Sequence, residues 1–354
     1  MSAKLKSFVG PLKWIVAILL LVFTIRSGKL DFEQLKIFVT SPLTAALCCA
    51  IAVVWYGTTF FRWKMLLKGQ GIEITYKLAF QLGMLGQFFQ TFAPGTLGAD
   101  VAKALYICKK FPKQKVRALS SVIVDRVIGL FALLFLGALT FIASYEHIVQ
   151  QTDKLIPLIL SLGYLLVSIA GAGLLVLIFL PVVKKILDRS SGLIKNWKFL
   201  RSPLKQAKQV IQQYAERPGY LWLALFLSMC AHSMAVLVLY IISKQIFGPP
   251  PWGEIGGASF FLASVLGLTA MALPISPLGL GVGQVAFAAV FLAFGVGQES
   301  FGASIVTGLQ IVTLSVNLLG AIFFATHKNE VAEMEALSNS GAESHSLSGT
   351  PQDA

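Results

Sequence analysis

Apolar residues in this chain come in runs separated by polar stretches, and run length sorts them into two kinds. Runs over residues 9–25, 43–61, 118–143, 155–180, 220–242 and 302–325 approach or exceed the roughly 20 residues a helix needs to cross a hydrocarbon core. Two others are interrupted. The run over 77–92 stops at Pro94-Gly95 and its pattern restarts at Gly98; the run over 258–273 stops at Pro274 and restarts at Val282. Each interrupted pair predicts a helical hairpin that enters the membrane and returns to the same side. Non-helical backbone at membrane depth is tolerated only where protein or a watery cavity covers it, so two such breaks point to a transport site.

Composition agrees with a membrane bundle. Of 354 residues 56% are hydrophobic and 13% charged, and the mean hydropathy is +0.76, which excludes an ordinary soluble domain. The net charge of +13 does not imply nucleic acid, because the basic residues lie between apolar runs and form no arm or stripe. They report topology instead. With the N-terminus inside and both hairpins returning to their side of entry, 23 of the 29 Lys and Arg fall on the cytoplasmic side and five outside, with Arg126 inside a helix. The expected fold is therefore all-α, with about six full spans, two re-entrant hairpins, and both termini cytoplasmic.

The same layout divides residues 1–328 into halves at 9–143 and 155–325, each reading span, span, hairpin, span. Their orientations are opposite, which predicts an inverted-topology repeat with substrate held between the broken helices. Between the halves, residues 182–218 form a basic cytoplasmic loop carrying nine Lys and Arg against Asp188 and Glu216. Ser202-Pro203 looks like a helix start there. Leu204, Ala207, Ile211 and Tyr214 recur at helical spacing, for a helix lying either on an anionic membrane surface or over the bundle. Residues 329–354 read as a disordered tail, and the first run, lacking a small-residue cleavage site, as an uncleaved helix. Arg62, Trp63 and Lys64 close the second run as an interface anchor. The four cysteines show neither zinc spacing nor a disulfide framework.

Candidate chemistry gathers at the breaks. Pro94, Gly95 and Gly98 start a half-helix whose free N–H groups would welcome an anion, with Asp100 in its first turn and Lys103 one turn on. A phosphate head group is the natural ligand there; Asp100 as a simple cap and Lys103 reaching the interface is the alternative. Asp125 and Arg126 interrupt an apolar helix and, as sequence neighbours, point about 100° apart. Cross-pairs with the first hairpin follow: Asp125 with Lys103, or Asp100 with Arg126. Such pairs would serve either a ligand site or architecture.

At the second break Pro274, Ser276, Pro277, Gly279, Gly281 and Gly283 let the chain turn, and Gln284 supplies the large polar group. His232, Gln310 and Asn317, single polar residues in spans, read as interhelical hydrogen-bonding groups. No carboxylate pair, His cluster, nucleophile with base or nucleotide loop occurs, so neither catalysis nor a cofactor is expected.

Three stretches, PGTLGADVAKA, SVIVDRVIGL and LPISPLGLGVGQVAF, resemble in order and spacing the transmembrane domain of lysylphosphatidylglycerol synthases, a flippase-like family that also occurs as stand-alone proteins. The likeness spans roughly residues 12–325. It implies a bacterial or archaeal inner-membrane protein that moves a phosphate-bearing polar lipid between leaflets. By it, Pro94, Gly95, Gly98, Asp100, Asp125, Arg126, Pro274, Pro277, Gly279 and Gly281 fall on motif positions. Thr96 stands where the family often has Gly, Lys103 stands near a frequent Arg, and Gly283-Gln284 replaces a charged dipeptide of many members, removing a titratable carboxylate. The aminoacyl-transferring domain of the fused enzymes is missing, so this chain is not expected to synthesise aminoacylated lipid alone. The alternative reading is a non-transporting scaffold for a lipid synthase or glycosyltransferase, engaged through the basic loop.

Overall fold

The computed structural model describes residues 32–92, 98–150, 156–189, 201–248, 256–273, 275–296 and 300–326, together with Val22 and Arg26. The expected first span, Val22 excepted, and the expected tail lie outside them. The described residues contain helices and turns and no strand.

The mixed segment before Ser41 forms a short helix, α1 (Phe32–Val39). It stops where the hydroxyls of Thr40 and Ser41 bend back to the carbonyls of Lys36, at 2.7 Å, and Ile37, at 2.8 Å. Pro42 then opens α2 (Pro42–Gly69), in a first-turn position where its missing N–H costs nothing. The first hairpin is α3 (Tyr76–Phe92) and α4 (Gly98–Lys110). A 3-10 turn, Pro112–Gln114, leads into α5 (Lys115–Val149), which runs past both expected ends. Next come α6 (Ile156–Ile178) and α7 (Leu180–Arg189). Pro181, just past the apolar run over 155–180, is the second residue of α7, a first-turn position where its missing N–H costs nothing. Then follow α8 (Arg201–Glu216) and α9 (Gly219–Phe247). The second hairpin is α10 (Gly256–Ala272) and α11 (Val282–Ala293), followed by α12 (Phe301–Leu318) and α13 (Gly320–Thr326).

Among the described residues five helical stretches are long and apolar enough to span: α2, α5 with its leading turn, α6, α9, and α12 continued into α13. The hairpin arms reach at most 17 residues, about 25 Å of helix, too short to cross a core of about 30 Å. Leu119, Ile123, Val127 and Leu130 of α5 and Leu158, Leu162, Leu165 and Ile169 of α6 form exposed apolar stripes at helical spacing. In water these stripes would drive association; in hydrocarbon they face their proper solvent. The chain is a polytopic membrane protein.

The centre of the bundle is an antiparallel pair, α2 and α9. Thr44 donates to Gln245 at 3.0 Å at one end, and Arg62 donates to Ser228 at 2.8 Å further along, so the partner number falls as the α2 number rises. Around this pair the contacts are reciprocal. The second hairpin packs through α10 on α5, and the first packs through α3 on α12 and α13. Likewise α9 touches α5 while α2 touches α12.

The basic loop contributes two helices. Val210, Ile211, Tyr214 and Ala215 of α8 turn inward onto Leu66, Ile128 and Leu221, and an ion pair of 3.0 Å links Lys184 of α7 to Glu216. The Tyr214 hydroxyl donates to the Leu66 carbonyl at 2.9 Å; burial raises the phenol's pKa well above its ordinary value, so it stays a donor. Of the two settings open to this helix, the Ile211 and Tyr214 face covers the bundle.

Candidate functional site

The first hairpin closes tightly because Gly86 of α3 faces the backbone of Ala99; a Cβ at Gly86 would come within 3.0 Å of the Ala99 carbonyl oxygen. That approach sets the first turns of α4 beside α2 and α5. Gly98 begins α4, as expected, while Pro94 and Gly95 lie outside the described residues.

Asp125 of α5 is buried, and two cations meet it. Arg62 Nε donates to one carboxylate oxygen at 2.7 Å, and Lys103 Nζ stands 3.8 Å from the other. Arg62 uses its remaining reach on Ser228, and the Lys103 ammonium also lies over the Phe60 and Trp63 rings, 5.7 and 5.4 Å from their centroids. Charges out of water need both pairing and hydrogen bonds, and this set has both. Arg126, turned from Asp125 by the helical step, is half-exposed and pairs with Asp100. Both expected cross-pairs therefore form. The stronger partner of Asp125, however, is Arg62, whose residue is only 7% exposed. Arg62 and Trp63 are not an interface anchor: Arg62 is held between Asp125 of α5 and Ser228 of α9, and the Trp63 ring is fully buried with Ile107 of α4 and Ala118 and Val122 of α5, donating to Ser121 at 3.3 Å.

These five charged side chains line one cavity of about 380 Å³ between the two hairpins. Its volume is that of a ligand site rather than a packing defect. Three cations, Arg62, Lys103 and Arg126, stand against two carboxylates, leaving one positive charge in excess. Gln87, Gln90, Thr59 and Thr313 add polar groups, and Trp55, Leu133, Leu268 and Met271 add apolar surface. His232 donates to the Gly129 carbonyl at 2.9 Å and also borders the space.

The second hairpin reaches the cavity differently. Its turn has three residues with positive φ: Leu278 at 52°, Gly279 at 70° and Gly281 at 77°. Glycine tolerates this region at no steric cost. The irregular backbone is satisfied by one side chain, since the Gln284 oxygen accepts the Gly281 N–H at 2.7 Å while its amide donates to Thr307 at 3.0 Å and Gln310 at 2.6 Å. Gln310 in turn donates to the Leu278 carbonyl at 3.3 Å. Leu278 and Gln310 line the cavity; Gly279, Gly281 and Gln284 stand behind them. Pro277 opens the 3-10 turn at the tip, and Pro274 lies outside the described residues. A third polar link ties the hairpins to the spans: Tyr56 donates to Asn317 at 2.9 Å, and Asn317 to Thr91 at 3.1 Å.

Of the residues expected at the site, Asp100, Lys103, Asp125 and Arg126 thus converge. Sequence reading missed Arg62, Gln87, Gln90 and the cavity role of Gln310. For Arg62 the available signal was its place only about two turns before the end of α2, ambiguous between an interface and an interior position.

The chain matches the model of the lysylphosphatidylglycerol synthase TM region family over residues 11–320. It is similar to a UPF0104 membrane protein of Pyrococcus horikoshii, 24% identical over 295 residues covering 79% of this chain and 84% of the relative. It is also similar to a UPF0104 membrane protein of Methanocaldococcus jannaschii, 22% identical over 284 residues covering 76% and 80%. No solved structure matches.

Proposed function

We propose that this chain, which belongs to the lysylphosphatidylglycerol synthase TM region family, is a lipid translocase of a bacterial or archaeal cytoplasmic membrane. It moves a phosphate-bearing polar lipid between leaflets and carries out no synthesis. The observation that carries the reading is a cavity with one excess positive charge between two broken helices in a membrane bundle. The reciprocal packing of the two hairpins supports an inverted repeat, and the apolar runs with the Lys and Arg distribution support six spans with both termini and residues 182–218 cytoplasmic.

In the proposed cycle the phosphate enters beside Arg126 and replaces Asp100 on its guanidinium, whose planar fork suits phosphate oxygens. Lys103, 3.8 Å from its carboxylate, is the looser partner of Asp125 and turns to the same phosphate. Asp125 stays neutralised by Arg62, so no buried charge is left alone during the exchange. The half-helix N-terminus at Gly98 and the second-hairpin turn border the head group, while the acyl chains remain in lipid.

The test is head-group accessibility of fluorescent phospholipids in proteoliposomes. Wild-type protein should equilibrate the leaflets and Arg126→Ala should not; equal movement with both, at equal protein levels, would sink the assignment of this site.

One observation favours the second reading, a scaffold for a lipid synthase or glycosyltransferase. A polar groove of about 640 Å³ runs between Lys113, Lys115, Arg117 and the α8 face carrying Gln209, Gln212 and Glu216. Under that reading, neutralising the three basic residues abolishes capture of the partner enzyme while vesicles show no lipid movement with any variant.

A further inference from the structure

The charged half of the cavity says what the phosphate needs; the uncharged half says what the rest of the head group must be. Resting on the translocase reading, we infer that the lipid carried is an anionic phosphodiester with an uncharged, hydroxyl-bearing head, and that amine-bearing heads are discriminated against.

The argument starts from carboxylates. A head-group ammonium needs an acceptor of negative charge, and the cavity has two candidates, Asp100 and Asp125. Asp125 is shared by Arg62 and Lys103, and Asp100 is held by Arg126. If the phosphate takes Arg126 and Lys103, Asp100 is released only next to the cation that holds the phosphate, at the half-exposed edge of the site. An ammonium deeper in the cavity would meet the excess positive charge. A zwitterionic lipid also cancels its own phosphate and leaves the surplus uncompensated. A phosphodiester without an amine carries the single negative charge that the three-to-two balance lacks.

The polar groups left over suit hydroxyls. Gln87 and Gln90 lie three residues apart on α3, hence on one face, both half-buried and lining the cavity. Among the described residues neither amide has a side-chain partner, in contrast to Gln310 and Asn317, whose amides are engaged by protein. Each amide offers a donor and an acceptor, the complement of a hydroxyl, which is both. The Thr59 and Thr313 hydroxyls donate to their own helix, at 2.7 and 3.0 Å, and keep their oxygens as acceptors toward the cavity. Trp55 adds an aromatic wall of the kind that packs on the carbon side of a polyol. Glycerol and sugar heads share this chemistry, on a diacylglycerol or a prenol carrier.

The test is competitive binding, separate from transport. Purified full-length protein in detergent is offered equimolar phosphatidylglycerol, phosphatidylethanolamine and a prenyl phosphohexose, and the retained lipid is read by native mass spectrometry. One of the two hydroxylated lipids should exceed phosphatidylethanolamine by roughly ten-fold or more; which one does so identifies the carrier. Gln87→Leu with Gln90→Leu, which breaks no side-chain hydrogen bond seen among the described residues, should bring that preference to within about three-fold. Retention of phosphatidylethanolamine equal to both others, or a preference untouched by the double variant, overturns the inference. Selective binding without movement in vesicles upholds the head-group assignment and defeats the translocase reading. Movement of phosphatidylethanolamine as fast as the hydroxylated lipids does the reverse.

Discussion

The two hairpins solve one problem with different chemistry. Each brings irregular backbone or a helix end into the interior of the bundle, and each needs that polarity satisfied from within. The second uses neutral amides: Gln284 and Gln310 fasten the Leu278–Gly281 turn to α12 through bonds that use both amide hydrogens of Gln284 and leave it no donor for a ligand. The first uses ions: Asp100, Lys103, Asp125 and Arg126 form pairs that differ in length and burial, with Arg62 as a fixed member. A closed amide net is a lock. A chain of ion pairs with one charge to spare can exchange partners with a phosphate, and on this account only the first hairpin does so.

Substitutions sharpen or break that contrast. The largest effect is expected at Asp125, where Asp125→Ala strands Arg62 and Lys103 without a counter-charge. Loss of one member of a buried pair typically costs about 3–5 kcal/mol, so the variant should fail to yield monodisperse protein on fluorescence-detected size exclusion. Stable, normally eluting protein would mean that the cluster is wetter than its burial implies.

Next comes Gln284→Leu, which takes the partner from the Gly281 N–H and a donor from the side-chain oxygens of Gln310 and Thr307. About 1–3 kcal/mol of destabilisation is expected, read as a lower melting temperature in detergent, with translocation falling only in step with folded protein. A transport defect in fully folded Gln284→Leu would give the second hairpin a ligand role and erase the distinction drawn here. Gly279→Ala should follow at about 1–2 kcal/mol, from φ of 70° and the crowding of a new Cβ against Met271; no shift in melting temperature would mean that the turn relaxes freely.

Much of this arrangement was legible in the chain. The hairpin ends at Phe92, Gly98 and Val282 follow from where apolar runs stop at Pro and Gly and resume, because helix continuity is a local property. Asp125 and Arg126 stood out since ionisable groups inside an apolar helix are rare. Their partners at Lys103 and Asp100 followed from the broken helix beside them. Arg62 was misread because a cation near the end of a span satisfies itself equally by snorkelling or by finding a carboxylate, and only the packing of α2 against α5, which carries Asp125, decides which. The Gln284–Gln310 bond joins residues 26 apart and depends on how α11 lies against α12, which periodicity does not encode.

The smallest effect on stability is expected at Arg126, and with it the largest separation between stability and function. Its pair with Asp100 is partly exposed, with side chains 37% and 21% accessible, so its loss should cost under about 1 kcal/mol. Translocation rate and melting temperature measured together for Arg126→Ala therefore test the central claim most directly. The account predicts a melting temperature within a few degrees of wild type and a rate lowered by about ten-fold or more. A wild-type rate, or a rate that falls only in proportion to lost folded protein, would contradict it and make the ion pairs of the first hairpin as architectural as the amides of the second.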